Sequence, residues 1–279
     1  MDIQTLESKA RQVRRDIIVM TSKAGAGHPG GSLSCTDLLV ALYFEVMRGI
    51  DPADDKNPTR DRFVLSKGHC APALYATLAL RGFFPVENLQ LLRSIKAHLS
   101  GHPDMKCVPG VDMSTGSLGQ GLSAAVGMAI AARLQKKDYR TYAICGDGEI
   151  EEGQIWEALM AAAKWHLDNL CIFIDVNGLQ IDGATKDVMP SEPLDRKLDA
   201  FNWHVIKIDG HNYEQILGAL SEARSTKGKP TAILMSTVKG KGVSFMENQA
   251  GWHGKAPNAE EFAIAREELE ARIKELEEQ

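Results

Sequence analysis

The sequence predicts an α/β protein with a mostly parallel sheet and helices on both of its faces. Short β-type runs, Arg62 to Leu65, Thr141 to Cys145, Leu170 to Ile174, His204 to Ile208 and Thr231 to Met235, alternate with helical stretches. The segment from Thr141 to Ile174 has the length of a strand-helix-strand unit, whose crossover forces the two strands to run parallel. Length and composition agree: 279 residues, 44% hydrophobic and 25% charged, are ordinary for a globular protein. One large α/β domain or two small ones are both long enough to bury a core. The expectation is a single domain over 1–279 with an acidic helix over 258–279.

In chain order, Thr5 to about Lys23 is an amphipathic helix with Leu6, Val13, Ile17 and Met20 on one stripe and Lys9, Arg11, Arg14 and Arg15 mostly off it. Between Ala24 and Gly31 lie four glycines and a proline, which predict a loop of unusual backbone demands. Its only titratable side chain is His28. A glycine-rich turn brings such a group close to a ligand, a plain surface histidine being the alternative. A helix from Cys35 to Met47, a polar Asp51 to Arg60 segment and the Arg62 strand follow. Ser66-Lys67-Gly68-His69 then turns into a helix from Ala71 to Arg81.

Two short helical patches around Glu87 to His98 lead to Gly101-His102-Pro103, with His98 read as structural or solvated. Cys107 to Ser117 is loop. The Leu122 to Leu134 helix is rich in small residues and apolar nearly all round, which predicts burial on most faces, for tight packing or for a protein interface. Beyond Asn177, Gly178 to Gly183 is a turn and a polar segment runs through Pro193. Helices from Leu194 to Phe201 and Tyr213 to Ala223 complete the alternation; His166, His204 and His211 read as structural. The Ser236 to Pro257 segment, with Lys239-Gly240-Lys241-Gly242 and Trp252-His253-Gly254, is a long irregular stretch of the kind that is functional or disordered. The acidic helix from Glu260 to Glu278 has Phe262, Leu269, Ile273 and Leu276 on its apolar side.

Several function classes recede on composition. A net charge of −5 without a basic stripe argues against general nucleic-acid binding. Cys35, Cys70, Cys107, Cys145 and Cys171 form no CxxC pair, and Cys145 and Cys171 sit in apolar strands as buried small hydrophobes. A reducing cytosol is the simplest setting. With no apolar leader and no run of about 18 apolar residues, the expectation is a cytoplasmic protein without membrane contact.

The chemistry centres on Gly146 to Asn177. Asp147 and Asn177 fall just past the carboxyl ends of two parallel strands, the edge where open α/β sheets bind ligands. A carboxylate between glycines and a neighbouring amide suit a hard cation carrying a diphosphate, with the Leu179 carbonyl completing the protein's share. Gly148 N–H, at the entry to a helix expected from about Glu151 to His166, would face the phosphate with the helix dipole behind it. An ordinary tight turn with Asp147 as a helix cap is the competing reading.

Beyond that pair, His28, His69, His102 and His253 all sit beside glycine in loops. Six motifs occur in order: GHPGGSLS from Gly27, LSKGHCAPALYA from Leu65, SGHP from Ser100, STGSLGQGLSAAVGMA from Ser114, GDG to Asn177, and WHGKAP from Trp252. Together they resemble the amino-terminal half of a transketolase over nearly the whole chain. That resemblance implies the thiamine-diphosphate-binding fold and transfer of a two-carbon ketol unit between sugar phosphates. It implies Asp147, Asn177 and the Leu179 carbonyl as ligands of Mg²⁺, with Mn²⁺ or Ca²⁺ as alternatives. It assigns His69, His253 and Gly148 to the cofactor diphosphate, and Gly116 and Leu118 to its rings. His28 and His102 would meet the donor hydroxyls, with His28 and His253 as candidate proton acceptors. Glu152 and Glu157 would link paired cofactor sites near a dimer contact, although the acidic Glu149-Ile150-Glu151 departs from the commoner apolar turn.

The family's second domain, with its pyrimidine-binding glutamate and phosphate-gripping basic residues, has no match in this sequence. A split enzyme is therefore expected, with a separate carboxyl-terminal subunit as its partner and a heterotetramer as its assembly. A 2-oxoacid dehydrogenase α chain, a subunit like deoxyxylulose-phosphate synthase and a non-catalytic paralogue remain the alternatives.

Overall fold

The computed structural model describes residues 1–95 and 98–277, with side chains through 271. Helix α1 (Ile3–Ala24) is capped by Asp2, which accepts from Thr5 N–H at 2.7 Å, and ends at Gly25 in the left-handed region. Its stripe of Leu6, Val13, Ile17 and Met20 is wholly buried as the periodicity requires. The glycine-rich segment departs from expectation. Only its first part is loop, and helix α2 (Pro29–Ser34) begins inside it, with Pro29 in the first turn. Its glycines answer to packing: a Cβ on Gly30 would lie 2.8 Å from the Trp252 carbonyl oxygen, and one on Gly31 2.9 Å from Cys70 Sγ. The expected Cys35 to Met47 helix is divided into α3 (Thr36–Ala41) and a π turn over Leu42–Val46.

Strand β1 (Arg62–Leu65) and helix α4 (Ala71–Arg81) follow as predicted, and a 3₁₀ stretch, Val86–Leu91, stands for the first helical patch. The rest of that patch includes residues 96 and 97, which lie outside the described residues; His98 is exposed. Helix α5 (Gln120–Leu134) buries one face through Leu122, Ala125, Ala129 and Ala132. Burial on most faces is thus not observed. Helix α6 (Gly153–Lys164) and the sheet cover one side only, so Gly127 faces open space and Leu134 is 79% exposed.

Strands β2 (Thr141–Gly146) and β3 (Leu170–Val176) flank α6, and the turn beyond Asn177 is a small hairpin of β4 (Leu179–Gln180) and β5 (Gly183–Ala184). The polar segment holds a short α7 (Thr185–Val188), and then α8 (Leu194–Ala200), β6 (His204–Asp209), α9 (Tyr213–Ser225) and β7 (Thr231–Ser236) complete the alternation. Helix α10 (Ala259–Glu277) packs on α1, burying Ala265 and Leu269 with Phe262 partly covered. The side chains of Ile273 and Leu276 lie outside the described residues.

The main sheet runs in the order β1-β2-β3-β7-β6 with every pair parallel. Strand alternation divides the core. Tyr142, Ile144, Cys171 and Phe173 join the α1, α3, α4 and α9 side, while Ala143, Cys145, Ile172 and Ile174 join the α5, α6 and α8 side. All carboxyl ends therefore fall on one edge, and register sets Gly146 beside Asp175 and Asp175 beside Met235.

Candidate functional site

A single cleft over that edge gathers residues from six segments of the sequence. His28, His69, His102, Gly116, Leu118, Asp147, Gly148, Asn177, Leu179 and His253 all line it. Local structure explains the convergence. His28 immediately precedes α2; His69 lies in a 3₁₀ turn between β1 and α4. His253 is carried by the 236–257 segment, which docks on α2 through Gly240 N–H to the Gly30 carbonyl at 2.9 Å. Gly240 has φ +81°, and a Cβ there would lie 2.3 Å from the Met246 carbonyl oxygen, so this bend requires glycine.

The imidazoles form one cluster. His28 lies 5.3 Å from His69, 5.4 Å from His253 and 6.4 Å from His102 between ring centroids, and His69 stacks on His253 at 5.0 Å. Burial and the neighbouring His69 ring hold the His28 pKa down at about 4. Burial and the Lys239 ammonium bring His253 to about 3, and burial also lowers His102. At neutral pH these three are uncharged bases. Among the described residues His28 Nδ1 is buried with no hydrogen-bond partner, the kind of orphan that a ligand hydroxyl satisfies.

A pH dependence follows. A histidine with a depressed folded-state pKa adds stability that is present above its unfolded value of about 6.5 and is lost as pH falls through the folded pKa. In urea unfolding from about pH 6.5 to pH 4, His28 and His253 should therefore each subtract roughly 1 kcal/mol of unfolding free energy after solvent screening, against an opposite contribution from Asp147, whose raised pKa favours the fold as pH falls. His28→Asn and His253→Asn should each flatten that slope. An unchanged slope in both would contradict the assignment.

At the sheet edge, Asp147 and Asn177 sit side by side as predicted. Asp147 Oδ1 accepts from Gly148 N–H at 3.0 Å and Oδ2 from Gly178 N–H at 2.6 Å; Asn177 Oδ1 accepts from Leu179 N–H at 3.1 Å. Burial first, then the charge of Asp175, pushes Asp147 up to about 6, so its ionised form lacks full compensation. Among the described residues no group of three or more His, Cys, Asp or Glu side chains could hold a metal ion. The set is one carboxylate, one amide oxygen and one carbonyl. Such hard donors fit a divalent cation that draws its remaining oxygens from a phosphate-bearing ligand.

The helix expected from about Glu151 to His166 is present as α6, but Gly148 does not stand directly at its entry. Helix α6 starts at Gly153, and Gly148 instead precedes a 3₁₀ turn, Glu149–Glu151. The cause is Glu149, which is buried rather than exposed. It accepts from Ser66 Oγ at 2.6 Å, Gly119 N–H at 2.9 Å and Gly146 N–H at 3.1 Å, and so pulls the chain inward ahead of the helix. Glu152 and Glu157 do not line the cleft; both are exposed, Glu152 at the start of α6 and Glu157 along it.

Two lysines of the cleft were missed by the sequence reading. Lys67 Nζ pairs with Asp175 and donates to the Gly31 carbonyl at 3.0 Å; Ser34 and Thr237 also donate to Asp175. Lys239 Nζ donates to the Leu179 carbonyl at 3.1 Å and lies 3.1 Å from His253 Nδ1. The available signal was a lysine among small residues at a strand end, in SKG and in KGKG.

Comparison with known proteins agrees with this geometry. Residues 6–275 match the family described as transketolase, thiamine diphosphate binding domain. The chain is 49% identical over 265 residues to the 6-deoxy-6-sulfo-D-fructose transketolase subunit SqwG of Clostridium sp. (strain MSTE9), covering 95% of this chain and 96% of that protein. It is 46% identical over 277 residues to one subunit of the apulose-4-phosphate transketolase of Phocaeicola vulgatus, covering 99% and 98%. The solved transketolase from Leishmania mexicana superposes with a TM-score of 0.85 at 31% identity, covering 100% of this chain but 46% of that one. The chain thus spans nearly all of the two subunits and less than half of the solved enzyme.

Proposed function

Because the chain belongs to the transketolase family, as its thiamine-diphosphate-binding domain, we propose that it forms one wall of a ketol-transferring active site completed by a second chain. The observation that carries this reading is the cluster of imidazoles, His28 and His253 among them uncharged at neutral pH, that shares one cleft with the Asp147, Asn177 and Leu179 oxygens. Bound thiamine diphosphate supplies the carbon nucleophile and the electron sink for breaking the donor's carbon–carbon bond. Asp147, Asn177 and the Leu179 carbonyl, the last now accepting from Lys239 Nζ, would hold a divalent cation, Mg²⁺ in the first instance, that also takes oxygens from the cofactor diphosphate. His69, His253 and Gly148 would border that diphosphate, and Gly116 and Leu118 the rings.

His28 and His102 meet donor hydroxyls. An uncharged His28 or His253 is then able to accept the donor hydroxyl proton and return it to the aldose acceptor. The second chain supplies the pyrimidine-binding glutamate and the cations that grip the substrate's anionic tail. Lys67 is unsuited to that grip, being committed to Asp175. In a heterotetramer the exposed Glu152, at the start of α6, and Glu157, along it, would link paired sites. Buried free thiols at Cys35, Cys70, Cys145 and Cys171 suit a reducing cytoplasm.

The names of the two similar subunits carry a phosphate in one substrate and a sulfo group in the other. The donor proposed here is accordingly a polyhydroxylated ketose with an anionic tail, a ketose phosphate first. The test titrates thiamine diphosphate, with and without Mg²⁺, into the chain and into its complex with a carboxyl-terminal subunit, then assays transfer from phosphate- and sulfo-tailed ketoses. Cofactor binding is expected to need Mg²⁺, and turnover in the complex to exceed the isolated chain by at least about 10³-fold. Equal turnover by the isolated chain, or turnover with pyruvate alone as donor, would overturn the reading.

A further inference from the structure

His211, which the sequence presents as structural, sits behind the cleft at the end of a chain of polar contacts. Arg14 donates to both carboxylate oxygens of Asp37, at 2.9 and 2.6 Å, from α1 to α3. His211 Nδ1 lies 2.7 Å from Asp37 Oδ2, and His211 Nε2 accepts from Val238 N–H at 2.9 Å. A backbone N–H can only donate, so Nε2 must be the unprotonated nitrogen and Nδ1–H must donate to Asp37. The contacts therefore select one tautomer. Gly210 makes the approach possible, since a Cβ there would lie 2.5 Å from Thr237 Cγ2.

The residue after Val238 is Lys239, which holds both the Leu179 carbonyl and His253 Nδ1. We propose that His211 is a positioning residue: its unprotonated Nε2 fixes the Val238 N–H and thereby sets Lys239 and His253 against the diphosphate end of the cleft. The proposal rests on the cofactor reading given above. Other anchors of this segment are Thr237 N–H to the Val176 carbonyl, Lys241 N–H to the Val238 carbonyl, Gly240 N–H to the Gly30 carbonyl and Asn248 N–H to the Lys239 carbonyl. Among these contacts, His211 is the one that holds Val238 from outside the segment, by accepting its N–H.

The test compares His211→Leu, His211→Asn and His211→Gln in complex with the carboxyl-terminal subunit, reading thiamine diphosphate affinity calorimetrically in the presence of Mg²⁺, alongside melting temperature and kcat at saturating cofactor. Leucine removes both polar contacts. Asparagine can satisfy Asp37 but falls short of Val238, whereas glutamine restores an acceptor at the Nε2 position. Leucine and asparagine should weaken cofactor binding about tenfold, as expected for an unmet buried N–H. Saturated kcat should fall in the same two variants, because His253 moves with Lys239, and glutamine should recover both, with affinity within about threefold of wild type. Should the leucine variant fail to fold, the contrast between asparagine and glutamine decides the question. Equal affinity in the asparagine variant and wild type would overturn the proposal, as would a glutamine variant as weak as asparagine. A wild-type complex that binds no thiamine diphosphate would instead remove the cofactor reading itself.

Discussion

Replacing Asp147 by asparagine should lower kcat/KM of the two-chain enzyme about 10³-fold, close to 4 kcal/mol of lost transition-state stabilisation. Asp147 is the single carboxylate among the three oxygens that face the proposed cation, and the substitution removes its charge while keeping its shape. The fold should not suffer. Burial and the Asp175 charge push the Asp147 pKa up to about 6, above its unfolded value. A raised acid pKa means that stability from this group is full below about pH 4 and is lost as pH rises through about 6. At pH 8 the cofactor-free Asp147→Asn chain should accordingly be at least as stable as wild type. Steady-state kinetics of the reconstituted pair, paired with urea unfolding of the variant alone, measure the two halves. Activity above about a tenth of wild type would show that Asp147 is not a metal ligand.

The largest stability effect should come from Lys67→Met. Lys67 and Asp175 are 1% and 0% exposed, and the Lys67 ammonium is the cation paired with Asp175. Removing one partner of a buried ion pair leaves the other charged in a medium of low dielectric, at a cost of about 3–5 kcal/mol. Ser34 and Thr237 still donate to Asp175, which places the expected loss toward the lower end. The double variant Lys67→Met with Asp175→Asn should recover most of it, because the stranded charge is then gone. Urea unfolding at pH 7 distinguishes the cases; a loss below about 1 kcal/mol in the single variant would mean that the pair is dispensable.

Much of the fold was legible because hydrophobic period is a local property. The five strands of the main sheet were located to within two residues at either end, since each is an apolar run stopped by a turn. The stripe on α1 was equally plain. Other expectations failed where a neighbour decides. Gly30 and Gly31 read as loop formers, yet they lie in a helix, and they are glycine because the Trp252 carbonyl and Cys70 leave no room for a side chain. Helix α5 reads as buried on most faces, yet its outward face is open; composition cannot say which faces other elements cover.

The candidate site divides in the same way. Sequence by itself determined the order of motifs, the residue types suited to holding a cation and moving protons, and the pairing of Asp147 with Asn177 across one crossover. Each of these depends on residues near in sequence or on a short repeating spacing. Only the tertiary structure decided that His28, His69, His102 and His253, spread over 226 positions of the chain, share one cleft. It also decided that Glu149 turns inward, that Lys67 is spent on Asp175, and that His211 reaches Val238 from behind. The physical reason is that hydrogen bonds and ion pairs act over about 3 Å, and which groups come that close is fixed by chain topology.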